Sequence, residues 1–380
     1  MRKNKEKILS ILLVFMMVFS ILVPPVFASA STTGEISIET TLTDGMTLKG
    51  SKKTFDVIAR DANNKKIVSS VTLNGDPVKV NWDDDVKTSY TLKFIKEGEN
   101  TVIVSAGGKS QTYRIIYQKA QPGDLIGYST WTIEALTIGS GFIELPMQVP
   151  IYEGENAAVM LDRLLTEHGY SYSRTGNLES SFYLAILGNG GANNLYNDSS
   201  FKYGCQDPAK GKKLSLPLNP TDQIPKDLIS VLEKEGIALE DALYVDENNK
   251  PYGLGEFDYT SMSGWMYAIN SKFPNVGFAD SYVSDGDVVR VQFTLYGYGA
   301  DIGGGYAMGG VNTDYYSVAN KDKLMTEIAR INSADDKDKI LAKKGVKQAY
   351  ENAITVAEQL NAKQEAVDKA YMELQNILKF

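Results

Sequence analysis

The sequence predicts a multidomain protein made of an all-β sandwich, then an α+β domain with a long insert, then a small three-helix bundle. Three changes of pattern along the chain predict this order. Short alternating segments separated by turn residues fill 35–120, strand and helix patterns mix over 125–310, and glycine and proline almost vanish over 320–380. A chain of 380 residues is long enough for about two or three domains of ordinary size.

Residues 1–30 have the pattern of a secretory signal peptide. Basic residues precede an apolar run over 8–23, and Ala28-Ser29-Ala30 offers the small side chains that a signal peptidase requires. The apolar run is short for a membrane span. We therefore expect a secreted mature chain that begins near Ser31 and does not insert into the membrane after cleavage. We expect it to be extracellular, at the surface of a Gram-positive cell.

Net charge and cysteine content narrow the class of protein. The formal net charge is −8, so the chain has no electrostatic attraction for nucleic acid or for an anionic membrane surface. Neither is expected as a partner. The only cysteine, Cys205, leaves no internal disulfide, and we interpret it as a small buried apolar residue rather than a catalytic thiol.

Residues 35–120 are predicted to form the β-sandwich. Alternating segments occur at 90–94, 101–104 and 113–117, and turn dipeptides such as Asn74-Gly75 separate them. The stretches LNGDPVKVNW and GENTVIVSA resemble the immunoglobulin-like modules of bacterial surface proteins. The resemblance implies that this part acts as a spacer.

Residues 320–380 are predicted to form the helical bundle. Leu324, Ile328 and Ile331 indicate a first helix behind Asn320, a suitable N-cap, and two longer apolar stripes follow. The segment YENAITVAEQLNAKQEAVDKAYMELQNIL resembles the FIVAR modules of Gram-positive surface proteins, although Lys363 stands where that pattern often has a capping Thr or Ser. The resemblance implies a spacer or a weakly adhesive unit.

Residues 125–310 combine strands with two predicted helices. Asn156 is expected to cap a helix from Ala157 to about His168, which Gly169 ends, and a second helix is expected over 225–235. Over 289–295 apolar and polar residues alternate, which predicts a half-buried strand with its polar side in water. A glycine-rich loop follows at 297–305.

Three motifs of this part, VPIYEGENAAVMLDRLL, GWMYAIN and SDGDVVRVQFT, resemble the transcobalamin-like C-terminal domain family over about 145–300, with an insert at about 188–260. In vitamin-B12 carriers that domain covers one face of the corrinoid. The resemblance therefore implies a β-grasp-type fold and a corrinoid or another flat or glycan-like ligand. The chain departs from the family in its Asn270-Ser271 turn, usually Asn-Gly, and has no helical repeats for the barrel that holds the other corrin face.

Aromatic and glycine residues near two strand ends form the predicted binding site. Two interpretations stay open: Trp265 and one tyrosine are ordinary core, or an aromatic platform stacks a flat ring at the rim of a shallow cleft. We expect Trp265 at the base, with Tyr267, Asn270 and the glycine loop on the exposed side. The predicted ligand-binding residues are Trp265, Tyr267, Asn270, Tyr296, Tyr298, Gly303 and Gly304.

No catalytic or metal site is predicted. His168 is the only histidine and has no second ligand at metal spacing, and the acidic stretch 246–249 lacks the glycine and glutamate of an EF-hand. The chain has no G-x-S-x-G motif, and its glycine loop lacks the ending of a P-loop. We expect a non-catalytic protein that requires no cofactor and binds a small corrinoid-like ligand. The alternative is a structural or adhesive protein with protein or glycan partners.

Overall fold

The computed structural model describes residues 35–189, 211–245, 248–296, 299–304 and 318–378. The predicted signal peptide, Cys205 and Tyr298 lie outside these residues. Three groups of apolar side chains are buried: one within 38–117, one within 126–302 that Leu360 joins, and one within 319–374. The described chain therefore has three cores in sequence order.

Nine strands between residues 37 and 117 form two sheets. They are Ser37–Thr40, Thr47–Leu48, Lys52–Arg60, Ser69–Leu73, Asp76–Pro77, Val80–Asp83, Thr88–Lys93, Gly98–Ala106 and Lys109–Tyr117, labelled β1 to β9. One sheet has the order β1-β3-β7-β6 and the other β2-β9-β8-β4-β5. In β3 every second residue is buried, including Phe55 and Val57, because the inner faces of the two sheets pack on each other.

The central part contains a four-stranded and a three-stranded sheet. Its strands are Leu125–Ala135, Gly141–Tyr152, Tyr172–Thr175, Tyr183–Gly188, Gly253–Gly255, Gly264–Ile269 and Val288–Thr294, labelled β10 to β16. The larger sheet has the order β11-β10-β16-β15, with β10 and β16 parallel at its centre and antiparallel pairs at both sides. The smaller sheet, β12-β13-β14, is antiparallel.

Two helices of the central part begin and end at the predicted signals. Helix α1, Ala157–Glu167, begins behind Asn156, whose Oδ1 accepts the Val159 N–H at 2.9 Å, and Gly169 follows it with a φ of 76°. Helix α2, Lys226–Lys234, is followed by Gly236 with a φ of 72°. Both helix predictions are confirmed within one residue at each end.

Four helices follow residue 318: Asp322–Asn332, Lys337–Ala342, Val346–Glu358 and Gln364–Leu378, labelled α3 to α6. Helices α3, α5 and α6 share a core that includes Leu324, Ala353 and Leu374. The first of them starts one residue later than expected, since Lys321 precedes it, although Asn320 Oδ1 still accepts the Asp322 N–H at 2.9 Å. Helix α3 also packs against strand β11 of the central sheet.

The larger central sheet has two different faces. Its apolar face carries Trp131, Val291 and Phe293 and shares its core with helix α1. Its charged face carries Glu134, Arg290, Gln292 and Thr294. These residues are buried, so the prediction of a half-buried strand is wrong for β16. Helix α3 and residues 299–304 pack against the charged face.

Candidate functional site

Strand β15 places Trp265 in the core, as predicted. The side chain is 3% exposed, and its Nε1 donates a hydrogen bond to the Leu254 carbonyl at 2.9 Å. Its ring packs edge-on against Phe293, with the ring centroids 5.4 Å apart. This face of the indole contributes packing to the apolar face and offers no stacking surface.

Tyr267 is also buried, which corrects its predicted position on the exposed side. It is 7% exposed, its ring stacks on Phe278 at 4.0 Å, and its hydroxyl contacts the Val276 carbonyl at 2.6 Å and Ser281 Oγ at 2.7 Å. Burial raises the pKa of this hydroxyl. The physical reason is the strand period: Tyr267 points to the same side as Trp265, towards the apolar core.

Tyr296, another predicted aromatic residue of the site, does not form part of a stacking platform either. Tyr296 is 6% exposed, and its hydroxyl lies 3.3 Å from Glu235 Oε2 at the end of helix α2. Three of the predicted aromatic residues are therefore buried, and Tyr298 lies outside the described residues. The predicted residues Asn270 and Gly303, by contrast, line a cavity.

Asn270 and Ser271 form the tight turn at the end of β15. Their φ angles are 51° and 58°, the left-handed pair of a type I′ turn, and the Ile269 N–H donates to the Lys272 carbonyl at 2.8 Å. Asn270 Oδ1 accepts the Val288 N–H at 2.9 Å, and Ser271 Oγ donates to Asp322 Oδ1 at 2.8 Å. The turn is thus held by strand β16 and by the first turn of helix α3.

This turn borders a cavity of about 310 Å³ on the charged face, which we call the turn cavity. Two predicted site residues, Asn270 and Gly303, line it together with Lys272, Arg290 and Asn320. The neighbouring prediction, Gly304, supports the wall. A Cβ there would lie 3.0 Å from the Gly299 carbonyl oxygen and 3.2 Å from the Phe273 ring, so the glycine permits close packing.

The floor of the turn cavity is ionic. The Nε and Nη2 atoms of Arg290 donate to the two oxygens of Glu134 at 2.8 and 2.7 Å, and both side chains are at most 3% exposed. Burial lowers the pKa of Lys321 to about 7, and its Nζ donates to the Ala357 and Gln359 carbonyls at 2.8 and 2.6 Å. Of these three charged side chains, only Arg290 is among the described residues that line the cavity, and its pair with Glu134 holds it in place.

A second cavity, of about 330 Å³, lies beside the beginning of β15. We call it the methionine cavity, because Met262 and Met266 line it with Phe257 and Trp265. Residues 299–304 pack between the two cavities: a Cβ on Gly299 would lie 3.6 Å from both Met266 and Phe273. Sequence reasoning missed this site, although the closely spaced Phe257, Met262 and Met266 were a usable signal.

The histidine lines neither cavity and belongs to a structural cluster. His168 Nδ1 is 3.4 Å from Glu144 Oε1, which also bonds the Tyr170 hydroxyl at 2.6 Å and the Lys212 ammonium. Burial raises the pKa of Glu144, but these hydrogen bonds outweigh it and lower the pKa to about 2. Across the described ranges no three His, Cys, Asp or Glu side chains gather at metal-binding distances. Part of the acidic stretch 246–249 lies outside them.

Comparison with known families gives one partial match. Residues 238–294, less than half of the chain, match the model of a domain of unknown function (DUF4430), a domain often found in transcobalamin-like proteins. This segment includes the whole of strand β15 and most of the lining of the methionine cavity. No curated protein matches the chain.

Solved structures resemble only parts of the chain. Domains 5–6 of the S-layer protein SbsC align over 39% of this chain and 81% of their own, with 16% identity and a TM-score of 0.25. SbsC domains 4 and 5 align over 22% of this chain and 50% of theirs, with 22% identity and a TM-score of 0.18. An Ig-like domain of human Obscurin-like protein 1 aligns over 25% and 97%, with 16% identity and a TM-score of 0.19. Similarity at this level supports no conclusion about function.

Proposed function

We propose that this chain is a non-catalytic, secreted surface protein whose central domain binds a small ligand rich in amide or hydroxyl groups at the turn cavity. The observation that supports the proposal is the cavity itself, in which a hairpin turn, the floor residue Arg290 and the segment before helix α3 meet. A corrinoid, with its flat ring and amide-bearing rim, is the first ligand of this class to test. The binding protein requires no cofactor.

The topology of the central sheet supports the domain assignment. A β-grasp sheet consists of two hairpins with a helix between them in the chain, and its first and last strands lie parallel at the centre. The pairs β10-β11 and β15-β16, with β10 parallel to β16, have this arrangement. We propose a β-grasp domain over 125–310 with an insert at about 188–260, between an immunoglobulin-like sandwich over 35–120 and a FIVAR-like bundle over 320–380. The family match over 238–294 falls inside the proposed β-grasp domain.

The size and polarity of the turn cavity define what it can hold. A volume of about 310 Å³ is near the lower end for ligand pockets, roughly 300–1,000 Å³, so it accepts one edge of a corrinoid rather than the whole ring. Lys272 and Asn320 offer N–H donors at its rim, and the Asn270 side chain is already oriented by its bonds to Val288 and Asp287. Such donors suit amide and hydroxyl oxygens.

The direct test is a titration of the mature chain, residues 31–380, with cyanocobalamin and with cobinamide, followed by calorimetry and visible spectroscopy. Lys272→Met removes the ammonium group and keeps an unbranched side chain, so we expect affinity to fall roughly tenfold. Lys323→Met is the matched control, since Lys323 is exposed on helix α3 and does not line the cavity. Tyr267→Ala is unsuitable because that side chain is part of the core.

Two results would contradict the proposal. One is the absence of heat and of spectral change at millimolar concentrations of both corrinoids and of amide- or hydroxyl-rich sugars. The other is an equal loss of affinity in Lys272→Met and Lys323→Met, which would attribute binding to general surface charge.

A structural or adhesive function is the second candidate, and the contacts between the sandwich and the central domain favour it. Lys53 donates to Ser284 Oγ at 2.9 Å and pairs with Asp287 at 3.7 Å. Lys87, which pairs with Asp56 within the sandwich at 2.9 Å, contacts the Phe273 carbonyl of the central domain. These buried bonds suit a rigid surface protein that contacts protein or glycan partners. Binding to purified wall glycan without corrinoid binding would select this function.

A further inference from the structure

The methionine cavity carries an inference beyond the turn cavity. We propose that it binds an uncharged small molecule with two fused aromatic rings and one hydrogen-bonding group. This site is separate from the one in the proposed function, since no described residue lines both cavities. It has three properties that a merely imperfectly packed surface would not combine.

The first property is the chemistry of the lining. The lining contains the thioethers of Met262 and Met266 and the aromatic residues Phe257 and Trp265. Unbranched, polarizable methionines adapt to the outline of a ligand and make favourable contacts with aromatic rings. A lining of this kind selects a flat aromatic group over a charged or sugar-like one.

The second property is the backbone of Phe257. This residue has a φ of 69°, a region that bulky residues rarely adopt, and its side chain is 50% exposed. The surrounding loop holds it there: the Phe257 N–H donates to the Ser263 carbonyl at 3.2 Å, and the neighbouring Asp258 carboxylate accepts the Gly255 and Leu243 N–H groups at 2.7 and 2.5 Å. A strained backbone that keeps an aromatic ring at a cavity mouth is typical of a binding site.

The third property is an unused polar group. Ser263 lines the cavity and is 4% exposed, and its Oγ has no hydrogen-bond partner among the described residues. A buried hydroxyl without a partner carries a desolvation cost that a ligand can remove. Rotation about one bond lets this hydroxyl donate to a ligand or accept from it.

Volume and charge narrow the ligand class. An apolar cavity of about 150 Å³ accommodates one benzene ring, so about 330 Å³ corresponds to two fused rings. Among the described residues of the lining, Glu256 is the one with a carboxyl group, and burial raises its pKa. An anionic ligand would be repelled by this carboxylate once it ionises, and a cation would lose its hydration among thioethers and aromatic rings, so a neutral ligand fits best.

The test compares 2-naphthol with naphthalene on the mature chain, residues 31–380, by calorimetry. We expect Ser263→Ala to weaken 2-naphthol binding by roughly threefold to tenfold and to leave naphthalene binding unchanged, because only the hydroxyl is removed. Phe257→Asn removes the ring while tolerating the left-handed backbone, so both ligands should lose roughly tenfold. Tyr128→Ala, at a 45% exposed aromatic residue outside the lining, is the control and should change neither affinity.

A second readout locates the ligand without relying on variants. In a chain with ¹³C-labelled methionine methyl groups, the ring current of bound 2-naphthol should shift Met262 and Met266 and leave Met46 and Met372 in place. The proposal is overturned if neither compound binds at its solubility limit, or if the shifts fall on methionines other than Met262 and Met266. It is also overturned if Phe257→Asn, with a native circular dichroism spectrum, binds as the unchanged chain does.

Discussion

The two faces of the central sheet are buried to the same extent but by different means. On the apolar face, Trp131 and Val291 pack with Leu161 of helix α1 in one continuous core. On the charged face, Arg290 and Glu134 form a bidentate pair beneath helix α3, and the buried Lys321 lies at the start of that helix. One face is stabilised by contact area, and the other depends on each charge having its partner.

The two faces of the sheet should therefore respond differently to substitution. On the apolar face, a substitution lowers the free energy of unfolding in proportion to the atoms that it removes. On the charged face, removal of either partner leaves the other charge buried without compensation, which is strongly destabilising. The turn cavity lies on the charged face, and the methionine cavity lies at the edge of the sheet, where Met266 and Thr294 of the charged face line it together with Trp265. We infer that the apolar face maintains the fold and that the charged face leaves room for ligands.

The largest expected effect comes from breaking the buried pair. Arg290→Met leaves the Glu134 carboxylate buried without its cation and should lower the free energy of unfolding by about 3–5 kcal/mol. The double variant Glu134→Leu with Arg290→Met should recover most of that loss, because no uncompensated charge remains. Urea unfolding followed by tryptophan fluorescence reports mainly on this domain, since it holds the buried Trp131 and Trp265, whereas the third tryptophan, Trp82 of the sandwich, is already exposed.

The matched change on the apolar face is Leu161→Ala, at a fully buried position of helix α1. It should cost about 2–5 kcal/mol through lost contacts and a residual cavity. A loss below about 1 kcal/mol for Arg290→Met, with the expected loss for Leu161→Ala, would mean that water reaches the charged face and would remove the distinction between the faces.

The charged face should also give the domain a pH dependence through Asp301. Burial raises the pKa of this carboxyl to about 7, although Thr294 Oγ1 and the Leu295 N–H donate to it. Because the folded state holds the proton more tightly, this contribution to stability is fully present below about pH 4 and is lost as the pH rises through 7. The unchanged chain should lose about 2–3 kcal/mol relative to Asp301→Asn between pH 5 and pH 8.

The measurement is the difference in unfolding free energy between the two chains at each pH, so that other titrating groups cancel. The matched control is Asp280→Asn, since Asp280 is exposed. A constant difference between Asp301→Asn and the unchanged chain across this range would mean that Asp301 is ionised in the folded protein. The carboxylate would then be solvated rather than buried.

Local signals predicted the helices and Trp265 well, because caps and strand periods act over a few residues. Asn156 and Gly169 define helix α1 through bonds and a φ angle that depend on near neighbours. Alternation also predicted that β16 has two unlike faces. It did not predict what covers the polar one, since helix α3 begins almost thirty residues after that strand ends.

The candidate site was predicted only in part for the same reason. Asn270 and Gly303 line one cavity because they sit in turns, where sequence signals are strong. Tyr267 was assigned to the exposed side, but strand period directs it into the core. A usable signal for the charged face was Glu134, an acidic residue within the apolar stretch WTIEALTI, which indicates a buried partner on another strand.

The smallest expected effect concerns Ser271, where the turn joins the central domain to helix α3. Ser271→Ala removes the bond to Asp322 and keeps the unfavourable φ of 58°, so it should cost about 1 kcal/mol. Ser271→Gly removes the same bond but relieves the backbone, which offsets the loss by about 0.5–1 kcal/mol. Thermal unfolding should therefore place the glycine variant above the alanine variant. The opposite order would mean that Ser271 is not held in the left-handed conformation, and that the turn cavity takes its shape from helix α3 rather than from the hairpin.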